Sequence, residues 1–72
     1  MPKVGTRLRV EWIDIVGGIN EPLSKIVPQE CWSEGVLMRV EPDFIVLASS
    51  QYIDDGKDPA GDYTAIVRGC IK

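Results

Sequence analysis

The sequence predicts a small all-β domain of four or five short antiparallel strands closed into a barrel. Three observations lead there. Apolar and polar residues alternate along short segments, as they do in half-buried strands. Turn-forming clusters separate those segments: Val16-Gly17-Gly18, Glu41-Pro42-Asp43 and the Gly/Asp/Pro-rich run from 54 to 62. Only one short stretch fits a helix. A flat sheet of this size leaves free edges and an apolar face in water, and closure into a barrel removes both.

The first strand is Arg7 to Asp14, with Leu8, Val10 and Trp12 on one face and Arg7, Arg9 and Glu11 on the other. Ile19 to Glu30 is a long irregular excursion bracketed by Pro22 and Pro28. Asn20 is placed to cap one helical turn, with Pro22 tolerated near its start and Pro28 stopping it. Leu23 and either Ile26 or Val27 are expected to tuck onto the core. Cys31 to Val40 reads as the second strand, in which Trp32, Val36, Met38 and Val40 share a parity and Glu34 is the exception. Gly35 inside it predicts a bulge or a sharp bend. After the Glu41-Pro42-Asp43 turn, Phe44 to Gln51 is the third strand. It is apolar on both parities through Ala48 and therefore expected to be central. Tyr63 to Arg68 is the fourth strand, Gly69 breaks it, and Cys70-Ile71-Lys72 is a stub of a fifth. Strand, long loop, strand, tight turn, strand, loop, strand, break, stub is the order of an SH3-like or Sm-like barrel.

Residues 1–72 form a single domain on this reading, since a chain of 72 residues has no room for a second. A hydrophobic share of 44% and a charged share of 26% describe a folded chain and not a disordered one. Eight Lys and Arg against eleven Asp and Glu give a net charge of −3, which argues against a general binder of nucleic acid or of anionic membranes. Met1-Pro2-Lys3 opens no signal peptide or myristoylation pattern, and the longest apolar run, Phe44 to Ala48, is far short of a bilayer span. A cytoplasmic location is expected. Cys31 and Cys70, with no histidine in the chain, cannot supply a closed zinc site. They are expected to be reduced, partly buried thiols.

Several stretches together resemble a group of small uncharacterised tailed-phage and prophage proteins. They are Val10-Glu11-Trp12-Ile13-Asp14, Cys31-Trp32-Ser33-Glu34-Gly35-Val36-Leu37, Val46-Leu47-Ala48-Ser49-Ser50 and Ile66-Val67-Arg68-Gly69-Cys70-Ile71. That group shares a V-x-W-x-D start, a C-x-S-x-G-[VW]-L strand, an LA-S strand and an I-P-x-G-x-I ending. The order is kept over most of the chain apart from the long loop. Val67 stands where the group tends to have Pro, and Lys72 ends the sequence where the others continue into a last strand. The resemblance implies a phage origin, a host-cell cytoplasmic location and a small β fold, and it implies no activity. The short final strand predicts a partner chain that completes the barrel, in a dimer or a larger ring.

The missing histidine removes the side chain most used for acid–base work near neutral pH and the commonest metal ligand. Ser49, Ser50 and Cys31 are nucleophiles without an imidazole base, so no catalytic residue and no cofactor are expected. Asp54, Asp55, Asp58 and Asp62 crowd one glycine-bearing loop, but their spacing misses the EF-hand template and reads as a solvated hairpin loop. The leading expectation is a non-enzymatic accessory module that docks a host or phage protein, or a second copy of itself. Trp12, Trp32, Met38 and Tyr52 are its candidate anchors. The alternative is an Sm-like oligomer that holds RNA or a small nucleotide through Arg7, Arg9 and Arg39. The two separate on whether those arginines line one concavity or scatter and pair with acids.

Overall fold

A computed structural model of the chain describes residues 1–53, 56 and 58–72. Four strands run in sequence order as one antiparallel sheet: β1 (Arg7–Asp14), β2 (Gln29–Val40), β3 (Phe44–Gln51) and β4 (Gly61–Val67). The all-β, antiparallel expectation holds, and β1 and β3 have the expected bounds. The strand of mixed parity, β3, lies inside the sheet between β2 and β4.

The sheet is curled but stays open, so the expected barrel is not closed. Val10 of β1 and Ile66 of β4 belong to one buried cluster with Leu37, Ile45 and Leu47. In a flat sheet the two outer strands would stand about 14 Å apart, so the sheet must bend to bring their side chains to one core. From β4 the chain passes through a 3₁₀ turn, Arg68–Cys70, to the edge of β1. There Ile71 makes a single antiparallel bridge to Trp12, and the Lys72 N–H donates to the Glu11 carbonyl at 2.9 Å. One bridge joins the ends, where a closing strand would make a ladder.

Two turns, one before β1 that the sequence pattern did not announce and the expected one between β2 and β3, each have a physical device. Lys3–Thr6 turns into β1 with the Thr6 N–H on the Lys3 carbonyl at 3.1 Å and Gly5 at φ +97°, the left-handed value that the third position of a type II turn requires. The Gly5 N–H then donates to the Leu37 carbonyl at 2.7 Å, and the Leu37 N–H donates to the Thr6 carbonyl at 2.8 Å. These bonds fasten the N-terminal segment to β2 beside its most buried residue. Between β2 and β3 the chain reverses over Glu41-Pro42-Asp43, with the Glu41 N–H donating to the Phe44 carbonyl at 2.9 Å.

Two local readings are corrected. The register break in β2 lies between Leu37 and Arg39, not at Gly35. It puts Met38 at a bulge and changes which parity faces inward. Leu37, of the opposite parity to Trp32 and Val36, is the fully buried residue of the strand, and of the four residues that share parity only Val40 packs against the core. Gly35 serves close approach instead: a Cβ there would lie 2.5 Å from the Ala48 carbonyl oxygen of β3.

The excursion between β1 and β2 holds the expected single turn, a 3₁₀ turn over Leu23–Lys25, but Pro22 and not Asn20 precedes it and no side chain caps it. Asn20 instead takes φ 58°, a left-handed conformation that asparagine tolerates. Leu23 does not tuck onto the core; it is 89% exposed, and Val27 is exposed as well. Ile26 folds back only locally, with its Cδ1 beside Gly18.

Candidate protein-docking surface

The four candidate anchors are not brought together. Trp12 lies on the inner face, packs against the core cluster, and donates from Nε1 to the Ser33 hydroxyl at 3.1 Å. It is a structural residue whose polar tip is satisfied. Trp32 lies on the outer face, 57% exposed, with the Arg9 guanidinium 4.4 Å above its ring centroid. Met38 shares that face but stands about 20 Å further along β2 at the strand rise of roughly 3.3 Å per residue. It lines a separate groove with Phe44, Val46, Pro59 and Tyr63. Tyr52, 75% exposed, follows the end of β3.

The arginines do not converge either. The Arg7 Nε donates to a Glu34 carboxylate oxygen at 3.3 Å across the β1–β2 pair. Arg39 donates to Glu41 at 2.7 Å and also lies 5.2 Å from the Phe44 ring centroid. Arg9 is taken up by Trp32. Two of the three face carboxylates and the third an aromatic ring, so no concave basic surface forms from them. Pairs this exposed contribute roughly 0–1 kcal/mol each, so their consequence is the local neutralisation of charge.

The acidic loop lies partly outside the described residues, which leave out Asp54 and Asp55. Asp62 accepts the Ser50 hydroxyl at 2.9 Å on its carboxylate, and its backbone carbonyl accepts the Ser49 hydroxyl at 3.3 Å. These bonds tie the start of β4 to the end of β3. Among the described residues no three His, Cys, Asp or Glu side chains gather as metal ligands, and no helix is long and apolar enough to cross a membrane. Cys31 and Cys70 are free thiols, both half-buried.

The largest concentration of exposed apolar side chains includes Leu23 and Val27, which the sequence pattern points toward the core. The arm between β1 and β2 presents Ile15, Ile19 and Leu23 to solvent at 87–89% exposure, followed by Val27. At its base Ile13, Val16, Ile26, Pro28 and Cys70 line a mostly apolar groove of about 370 Å³. The molecule is correspondingly extended, 49 × 24 × 19 Å, with a radius of gyration of 14.9 Å. A compact domain of this length would have about 11 Å. The signal in the sequence was the pair of glycines and two prolines around this segment, which deny it a regular element able to lie on the sheet.

A second charged site fastens the C-terminus. The Lys72 ammonium donates to the Glu30 carboxylate at 2.6 Å. That hydrogen bond, and then the attraction between the charges, lowers the Glu30 pKa and raises that of Lys72.

Comparison of the chain with protein-family models, with curated proteins and with solved structures gives no match.

Proposed function

We propose that this protein is a phage- or prophage-encoded accessory binding module that works by docking protein, without chemistry of its own. One observation carries the reading: the apolar side chains of the arm are displayed instead of buried. Six apolar residues of the arm, Ile15, Val16, Ile19, Leu23, Ile26 and Val27, are exposed, while the buried cluster has five members. Exposed apolar side chains concentrated in one segment mark an interaction site. The order of the four sequence stretches supports the phage origin. The curled sheet, the 3₁₀ turn after β4 and the Ile71–Trp12 bridge support reading the fold as an SH3-like barrel, with Ile71 where the closing strand would lie. Pairing of Arg7 and Arg39 with carboxylates, and of Arg9 with Trp32, favours protein over RNA as the ligand.

The test combines two titrations of the folded chain. At chain concentrations low enough to keep the protein monomeric, an environment-sensitive apolar dye should bind the wild type and lose its signal in Ile19→Asp/Leu23→Asp, while the far-ultraviolet spectrum is kept. A labelled mixed-sequence oligonucleotide should show no binding at low salt. Salt-sensitive oligonucleotide binding, or a dye signal indifferent to the two aspartates, overturns the reading.

A further inference from the structure

We infer that the occupant of the arm is a second copy of this chain, and that the protein is a two-fold dimer in which the arm of each copy lies against the arm and groove of the other. This rests on the docking role proposed above and names the partner.

The area is the first support. The chain exposes 5760 Å². A folded monomer of its mass exposes about 4,450 Å², so the surplus is about 1,300 Å². One side of a standard interface hides about 800 Å², which the surplus accommodates. The radius of gyration, 14.9 Å against about 11 Å for a compact chain, accords with an arm that projects from the sheet instead of covering it.

Charge is the second support. The whole chain carries −3, so two copies repel unless they meet on neutral ground. Residues 15 to 28 contain one acid, Glu21, and one base, Lys25, which balance, and Asp14 in the groove at their base is the one unbalanced charge of the patch. A partner chosen by charge complementarity would find only Asp14 there to select it, whereas an identical copy needs no such selection.

Shape is the third. A two-fold interface uses the same patch on both copies, so the patch must contain both a projection and a recess. The arm has both. Ile19 and Leu23 project at 88% and 89% exposure. Ile13, Val16, Ile26, Pro28 and Cys70 line the recess at the arm's base. Projection and recess are both mostly apolar, with Asp14 the one charged residue of the recess, so exchange across a two-fold axis buries each against the other.

The experiment is sedimentation equilibrium of the full chain across a concentration series, with Ile19→Asp/Leu23→Asp alongside and a dye titration on both. The wild type should reach twice the 8.0 kDa chain mass. The double variant should keep its spectrum and raise the dimer dissociation constant by about 30-fold or more, the effect of losing one anchor of hot-spot strength. A dimer of unchanged strength in the variant overturns the arm as the interface. A wild type that stays monomeric while its arm binds dye in a variant-sensitive way overturns the second copy and leaves the docking role standing. A monomer without variant-sensitive dye binding overturns both.

Discussion

Gly35→Ala is the smallest change that tests how the sheet is held. A Cβ at Gly35 would stand 2.5 Å from the Ala48 carbonyl oxygen and 3.0 Å from the carbonyl carbon. Both are backbone atoms of the central strand β3, so no rotamer change relieves the overlap and the two strands must move apart. The overlap falls beside the Val36–Ala48 register pair, next to Leu37, the most buried side chain in the molecule. Overpacking of this kind costs about 1–3 kcal/mol. A domain of this length has about 4–11 kcal/mol in all, so the loss is a large fraction. At about 4–8 °C per kcal/mol the melting temperature should fall by roughly 4–24 °C. Gly17→Ala is the matched control. A Cβ there meets nothing within 4 Å, and Gly17 is not among the positive-φ glycines. It should be neutral or gain about 0.4–1 kcal/mol, because alanine restricts the unfolded chain. Urea unfolding at one fixed chain concentration, low enough to keep the protein monomeric, followed by tryptophan fluorescence, separates the two. Equal midpoints for both variants would refute the close-approach account of Gly35.

Two further outcomes follow from the same structure. Leu37→Ala empties a site of 0% exposure at the centre of the five-residue cluster and should lower stability by about 2–5 kcal/mol, read as a shifted urea midpoint with an unchanged slope. The Lys72–Glu30 contact should hold the C-terminal bridge from above the ordinary glutamate pKa to below the ordinary lysine pKa. It weakens as pH falls through the lowered Glu30 value or rises through the raised Lys72 value. The protection of the Lys72 amide, its exchange rate set against the intrinsic rate at the same pH, should fall at both ends of that window, and Glu30→Gln should remove the acid-side change; an unaltered acid limb would count against the contact.

The parts of the fold legible in the sequence are those set by local pattern. Alternation gave β1 as Arg7–Asp14, and the doubly apolar run gave β3 as Phe44–Gln51 and its interior place. The inward face of β2 was not legible, because a bulge inverts parity and nothing in Leu37-Met38-Arg39 announces one. Gly35 drew that expectation to itself, since a strand glycine signals either a bulge or a close approach and the sequence does not say which. Closure was over-read for a related reason: turn order constrains which strands are neighbours, but the number of bonds between the first strand and the last is a tertiary quantity. Among the site residues, Trp32 is exposed at the surface, whereas Trp12 is half-buried and joins the core. The arm was missed because hydropathy alone cannot tell a residue that is covered by its own chain from one that awaits another.

The distinction between those two kinds of apolar residue follows from the geometry of the curl. Bending the sheet brings Val10, Leu37, Ile45, Leu47 and Ile66 from all four strands to one point, with Leu8, Trp12, Val40 and Ile71 around it. That cluster is satisfied by the sheet itself, and the groove beside it is lined by Met1, Pro2 and Ile71 and not by the long connection. The arm leaves β1 at Asp14 and returns at Gln29, positions that are register partners at the far end of the β1–β2 pair. It is therefore displaced along the strands from the core and has only its own base to fold on. Its charges cancel and its apolar side chains point outward. A connection used only for topology would be shorter or more polar, since a tight hairpin closes an antiparallel pair with two to five residues. Fourteen residues, 15 to 28, with six exposed apolar side chains and one charge of each sign, cost solubility in the free chain and give nothing to its core. What the arm can supply is a neutral apolar contact between molecules, and the position of Ile19 and Leu23 makes that contact separable from folding by the aspartate variants.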